Sequence, residues 1–212
     1  LIDSVHRRLL EENVSLHFRL KPTMGRHFGA TLAGAIARKE IPVPKEGLMV
    51  TTDGYAGGKY GFAMPSEVTL KHTGFAGDHV GEALSGGKIV IKQPDDVDNK
   101  EENYVMGHVC GVGATAGTLY AGGKSGERLG FRNSGATIAS EGCGKFGAEF
   151  MTGGTMILFG EIGANFGVGM TGGEAYIYDE NDNVSSKIHP ESVKIEEMDS
   201  RDYAVLRTLA FD

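Results

Sequence analysis

Residues 163–173 read Gly-Ala-Asn-Phe-Gly-Val-Gly-Met-Thr-Gly-Gly and run into Glu-Ala-Tyr-Ile-Tyr at 174–178. Nineteen residues earlier, 144–154 read Gly-Lys-Phe-Gly-Ala-Glu-Phe-Met-Thr-Gly-Gly, followed by Thr-Met-Ile-Leu-Phe at 155–159. The same step back from Gly154 lands on Gly135, which leads into Ala-Thr-Ile-Ala-Ser at 136–140. Eighteen more lands on Gly117, ahead of Thr-Leu-Tyr-Ala at 118–121. An earlier copy, Gly77 to Gly87, precedes Lys-Ile-Val-Ile-Lys at 88–92, and Thr69 within Val68–Lys71 stands eighteen before Gly87. A fixed step of this size marks a stacked repeat, in which one unit cannot bury its own apolar side and its neighbours do so for it.

The residue types give each unit its shape. A run of four or five residues rich in β-branched and aromatic side chains reads as a short strand. The glycines before it permit a sharp turn at positive φ, where a Cβ would clash. Glycine recurs too often between 109 and 180 for an ordinary helix, since each costs about 1 kcal/mol of helix propensity. A unit of 18–19 residues is also too short for a βαβ crossover of roughly 30. The expected fold is therefore all-β: a single-stranded β-helix whose coils stack about 4.8 Å apart, with short flanking helices. An antiparallel β-sandwich is the alternative, weakened by the lack of regular hairpin signals. Tyr120, Ile138, Ile157 and Ile177 are expected to share one inward ladder, each lying three or four places after a turn glycine. Gly147, Gly163, Gly167 and Gly169 are expected to let the backbone pass close to the next coil.

The flanks differ. Phe28, Leu32, Ala35 and Ile36 recur near helical spacing within Gly25–Lys39, and Pro42 closes that segment. A short helix around Ser4–Glu12, a strand through Val14–Leu20, a charged loop over Pro94–Asn103 and a helix opening at Tyr203–Leu209 complete the reading. The chain divides as 1–45, an N-terminal extension and capping helix; 46–183, the glycine-repeat coils; and 184–212, a tail with the start of a helix.

Glycine supplies 33 of 212 residues, more than twice the usual share of roughly 7%, but without a three-residue period, which excludes collagen. The net charge of −7 is uneven: residues 1–45 carry eight basic and four acidic side chains, and the remainder 13 against 24. An acidic body argues against nucleic acid. No apolar run approaches 18 residues and no signal peptide is evident, so no membrane partner and a cytoplasmic location are expected.

Chemistry is hard to find. The series Gly107-x3-Gly111-x-Gly113 and Gly163-x3-Gly167-x-Gly169 resemble cofactor loops, but a dinucleotide fingerprint leads into a long helix, and these lead into strands. They read as turns. Cys110 with His108 falls short of the three or four ligands zinc needs, and His72 and His79 read as structural histidines. Cys143 beside Lys145 could be a low-pKa thiol, although inert packing is the simpler reading. A groove beside Asp53, His79 or Glu127 would be the place for an autonomous enzyme or ligand binder. In the most individual coil, Ser125–Gly135, Glu127 could pair with Arg128 or Arg132; Glu127, Arg128, Arg132 and Asn133 are the candidate partner contacts. No catalytic, cofactor-binding or metal residue is assigned.

The segments 126–136 (Gly-Glu-Arg-Leu-Gly-Phe-Arg-Asn-Ser-Gly-Ala), 149–154 and 163–173 closely resemble the carboxy-terminal glycine-repeat domain of the glutamate synthase large subunit. The resemblance extends through 28–38 and 77–91 and covers roughly 22–209. A formylmethanofuran dehydrogenase subunit shares the coil pattern more distantly. The resemblance implies a right-handed β-helix that holds other domains in place. It places FMN and an iron–sulfur cluster in a barrel-bearing synthase partner, and glutamine hydrolysis in an amidotransferase partner. The assembly implied converts glutamine and 2-oxoglutarate into two glutamates. This sequence has no matching amidotransferase cysteine, no room for an FMN barrel and too few cysteines for the cluster. The expectation is a noncatalytic scaffold, either a separate subunit or a fragment, binding no cofactor itself. An equivalent scaffold in another amidotransferase or a molybdenum or tungsten oxidoreductase is the alternative. Homo-oligomer formation at an open solenoid end stays possible on this reading.

Overall fold

The computed structural model describes residues 15–21 and 25–210. Nine strands form one sheet: β1 (Ser15–Leu20), β2 (Leu48–Ala56), β3 (Val68–Ala76), β4 (Ser85–Lys92), β5 (Tyr104–Met106), β6 (Ala116–Ser125), β7 (Ser134–Cys143), β8 (Thr152–Leu158) and β9 (Gly172–Ile177). Among the described residues two α-helices flank it, α1 (Ala30–Ala37) and α2 (Ser200–Ala210). Every strand pairing is parallel, in the order β1-β2-β3-β4-β6-β7-β8-β9. All-parallel pairing between successive strands, most of them joined by short connections, leaves a stacked solenoid, and the sandwich is excluded.

The coil between β4 and β6 is split. Ile89 pairs with Leu119, a step of 30 residues, where Leu119 to Ile138 is 19. The excess of eleven is residues 93–103, the charged loop, which interrupts the strand; β5 resumes it by pairing with β3 and β6. Two amides close the loop's base. Gln93 Nε2 donates to the carbonyls of Lys100 (2.6 Å) and Gly122 (2.8 Å), and Asn103 Nδ2 donates to Gln93 Oε1 (3.0 Å).

The core is a set of inward columns. One runs Leu16–Val50–Leu70–Ile89–Leu119–Ile138–Met156–Ala175. All but the last are buried. A second runs Phe18–Thr52–His72–Ile91–Ala121–Ser140–Leu158–Ile177. The four residues expected to share a ladder fall into three columns. Ile138 lies in the first and Ile177 in the second, while Tyr120 and Ile157 lie in an outward column with Ala139 and Tyr176. The cause is irregularity at the glycines. Register shifts fall between Ser134 and Thr137 and between Thr152 and Thr155, and a slip of one residue turns a strand position from inside to outside.

The second column holds a buried polar chain. His72 Nε2 lies 3.1 Å from the Phe75 carbonyl, which fixes the proton there in the neutral ring. Nδ1 then accepts from Thr52 Oγ1 (2.8 Å), which in turn accepts from the Tyr60 hydroxyl (2.9 Å). His72 and Tyr60 are fully buried, and Phe28 stacks on Tyr60 at 5.5 Å. Burial holds the His72 pKa below its ordinary value, against backbone carbonyls at Phe75 and Gly54 and the charge of Asp53. The unfolded chain therefore takes up a proton near pH 6.5 that the folded chain refuses. Stability is expected to be full above that pH and to fall as pH drops toward the folded value. The fall is at most about 1.4 kcal/mol per pH unit from this group. Urea midpoints from pH 7.5 downward check this: the acid decline should flatten in His72→Gln, whatever that variant's absolute stability.

At the flanks, α1 starts later than the helical spacing implied, because Gly29 sits at φ 92 and breaks the helix before Ala30. A Cβ on Gly29 would lie 2.6 Å from Met64 Cε, so that glycine is also a close contact. Leu32, Ala35 and Ile36 are buried. Helix α2 begins three residues before Tyr203, since Asp199 caps it. Asp199 Oδ1 accepts from the amides of Arg201 (2.7 Å) and Asp202 (3.1 Å), and Asp202 Oδ2 accepts from the Asp199 amide (2.8 Å). This is a reciprocal capping box, legible as Asp-x-x-Asp. The helix expected around Ser4–Glu12 lies outside the described residues. No helix among the described residues is long and apolar enough to cross a membrane.

Candidate docking surface

Strands β2, β3, β5, β6 and β7 are each followed by a glycine (Gly57, Gly77, Gly107, Gly126 and Gly144), and these stack from coil to coil with Gly163. A Cβ on Gly126 would lie 2.7 Å from the Gly107 carbonyl oxygen, one on Gly144 2.8 Å from the Glu127 amide, and one on Gly163 2.5 Å from the Gly144 carbonyl carbon. Gly163 thus meets backbone, as the spacing suggested. At Gly147, Gly167 and Gly169 a Cβ would instead meet side chains, of Cys143 and Phe166, of Val193, and of Phe150, although the Gly167 amide donates to the Gly147 carbonyl of the neighbouring coil (2.8 Å).

The six residues after each such glycine form a second corner with alternate residues left-handed. In one coil these are Arg128 (φ 60), Gly130 (70) and Arg132 (54); in the next, Phe146 (60), Ala148 (56) and Phe150 (52). Glycine is therefore not required at this corner, contrary to the expectation that glycines mark every turn. The amides explain it. Arg128 and Arg132 donate forward to the carbonyls of Lys145 (2.8 Å) and Glu149 (2.9 Å), while Gly130 donates back to Cys110 (2.8 Å). Phe146 and Phe150 donate forward to Ala164 and Val168, and Ala148 back to Leu129. Bonds in both directions hold a conformation that an isolated L-residue adopts at a cost of about 1–2 kcal/mol.

This corner sends its outer left-handed side chains to the surface in register. Arg128 lies over the rings of Phe146 (5.4 Å) and Phe131 (5.9 Å), and Arg132 over Phe131 (5.5 Å). Phe131 meets Phe150 edge-on at 6.1 Å. Phe150 is 46% exposed, and its ring occupies the space that a side chain at Gly169 would need. Among the described residues Arg128 pairs with Glu149 of the next coil (Nη1 to Oε2, 3.2 Å), not with Glu127. Glu149 is 8% exposed and was one carboxylate among many in the sequence. Its position one coil above Arg128 was invisible there.

Of the four candidate contacts, Glu127, Arg128 and Arg132 are exposed and Asn133 is fully buried. Asn133 Oδ1 accepts from the amides of Gly135 (3.2 Å) and Ala136 (2.9 Å), and Nδ2 donates to the Ala136 carbonyl (2.9 Å). Its amide is spent on its own turn. Glu127 lies apart from the arginine–aromatic face, lining a groove of about 510 Å³ with His108, Lys124, Lys145 and Glu161. The Glu127 amide donates to His108 Nδ1 (3.0 Å).

The groove also exposes the flank of Cys143. Burial pushes the Cys143 and Cys110 thiols up to about 12, so neither is an activated nucleophile. Asp53, His79 and Glu127 do not converge. Asp53 pairs with His17 (2.9 Å) and Arg19 (3.3 Å) on the sheet, and His79 with Glu82 (3.1 Å) at a corner. No group of three or more His, Cys, Asp or Glu among the described residues could hold a metal ion.

A family model described as the GXGXG motif matches residues 1–210. The chain belongs to the GXGXG family. The glutamate synthase [NADH] of Schizosaccharomyces pombe is 40% identical over 191 residues, covering 88% of this chain and 9% of that protein. The ferredoxin-dependent glutamate synthase of Pyropia yezoensis is 40% identical over 189 residues, 88% of this chain and 12% of that protein. The glutamate synthase [NADPH] large chain of Bacillus subtilis is 38% identical over 158 residues, 71% and 10% respectively. This GXGXG chain spans about a tenth of the length of the curated relatives it matches.

Proposed function

We propose that the chain is a noncatalytic docking element of a glutamate-synthase-like enzyme, as a domain or a separate subunit. The observation that carries this reading is the 40% identity to a tenth-length piece of glutamate synthases, spread across 88% of this chain. In the proposed assembly an FMN-barrel synthase part and a glutamine amidotransferase part supply the chemistry, with FMN and an iron–sulfur cluster held by the former. The solenoid holds them at a fixed separation. Its stiffness suits that role, because each inner coil is bonded to the coil before it and the coil after it.

Arg128 and Arg132 on the arginine–aromatic face, and Glu127 in the separate groove, are the proposed contacts. A guanidinium already stacked on rings loses little freedom on meeting a carboxylate, so such arginines are effective interface anchors. Asn133 serves them by holding the turn. Purifying the assembly that carries this chain under mild conditions, then measuring intact mass and bound flavin, tests the reading. Expected are an FMN-barrel part and an amidotransferase part in one particle. A particle lacking both would overturn it. Charge reversal by Arg132→Glu, which leaves the Arg128–Glu149 pair in place, is expected to cut association about tenfold while leaving the chain folded.

A further inference from the structure

We propose that the C-terminal end of the solenoid is a docking pocket for a cationic, apolar segment of a partner polypeptide. The site stands on its own geometry, whether or not the chain serves glutamate synthesis. Strand β9 ends the sheet order, so the core columns lose their cover there. Met156 is fully buried and its column neighbour Ala175 only half; Leu158 is 1% exposed and its neighbour Ile177 half-buried.

The following chain covers one corner only. Phe166 bridges to Ile188, the Gly169 amide donates to Ser192 Oγ (3.0 Å), and Val193 lies against Gly167. Between β9 and residues 192–198 a pocket of about 550 Å³ stays open. Its floor and walls include Phe166, Met170, Ile177 and Val193. At its mouth Ile195 is 60% and Met198 41% exposed. An exposed apolar patch around an uncovered core is the usual mark of a polypeptide contact.

The charge at the mouth selects the occupant. Five carboxylates line the pocket, those of Glu174, Asp179, Glu196, Glu197 and Asp202, against the single cation Lys194. Three are engaged within the chain. Glu174 faces Arg201 (3.7 Å), Asp202 accepts from the Tyr176 hydroxyl (2.9 Å), and Asp179 accepts from the amides of Asn183 and Val184. Glu196 and Glu197 are exposed and form no ion pair among the described residues. An acidic rim around an apolar floor repels phosphates and carboxylic acids and accepts an amphipathic segment carrying Lys or Arg.

Fluorescence anisotropy with the whole chain and a labelled amphipathic peptide of Leu and Lys tests this, with the Glu-for-Lys peptide as control. The Lys peptide is expected to bind and the Glu peptide not. Glu196→Lys with Glu197→Lys should weaken the Lys peptide about tenfold. Ile195→Asp is the deciding variant, since it removes apolar contact and adds attraction. Docking requires weaker binding in Ile195→Asp; equal or tighter binding reduces the effect to charge alone and overturns the proposal. Equal binding of both peptides, or neither binding, also overturns it. So does a concentration-dependent dimer that Ile195→Asp dissolves, because a second copy would then own this end.

Discussion

Alanine at Gly163 is expected to destabilise the solenoid by about 3 kcal/mol or more, the upper end of overpacking effects. Its Cβ would fall 2.4 Å from the Lys145 amide nitrogen, 2.5 Å from the Gly144 carbonyl carbon and 2.7 Å from the Lys145 Cα. All three are backbone atoms of the neighbouring coil, which itself bonds to the coil beyond, so no side chain can swing aside. Relief requires the coils to separate. For a chain of this size the loss corresponds to roughly a 6–12 °C fall in Tm.

Two other glycines separate this clash from the general effect of removing glycine. Gly113 sits at φ +62 in open space, so Gly113→Ala should cost only the left-handed strain, about 1–2 kcal/mol. Gly122 has no positive φ and no neighbour closer than 3.7 Å, and Gly122→Ala should be neutral or stabilise by about 0.5 kcal/mol. Thermal or urea unfolding of the three variants checks the order. A Gly163→Ala protein as stable as Gly113→Ala would mean the coils are not in close contact at that corner.

Asn133→Ala is expected to remove about 2–3 kcal/mol, on the order of 1 kcal/mol for each stranded partner. The register between β7 and β8 shifts between Ser134 and Thr137, and there the Asn133 amide stands in for a neighbouring strand. Alanine leaves two amides and a carbonyl without that partner. Asn133→Asp should do no better, because it restores the acceptor but sets a carboxylate oxygen against the Ala136 carbonyl. Recovery of full stability with Asp would show that the Nδ2 bond is immaterial. Arg128→Ala should cost less, about 1 kcal/mol or more, because it strips the cation from a Glu149 side chain that is only 11% exposed.

The features that could be read in one dimension are those tied to a single residue type at a repeated interval. Gly144 and Gly163 announced the corner column, and the polar run 94–103 announced the loop that breaks a strand. The docking face was half legible. Arg128 and Arg132 stood out as charges in an otherwise bland coil, but their aromatic bed could not be seen, because Phe146 and Phe150 come from the next repeat. Asn133 carried the wrong impression: a polar residue beside two arginines reads as surface until the turn is built around it.

By itself the sequence determined that this chain climbs in short parallel strands with glycine where coils touch, because a missing Cβ is required wherever that atom would fall within 3 Å of the next coil's backbone, and a step of 18 or 19 residues leaves no room for a crossover helix. Tertiary structure alone decided which residues face inward. A strand alternates every residue, so the one-residue shift beside Gly135 sets Ile157 opposite outward Ala139 and not opposite inward Ile138, and composition is blind to such a slip. It also decided that Arg, Phe and Ala take left-handed corners, since the amide bonds that hold them there run to residues 17 to 19 away in the chain.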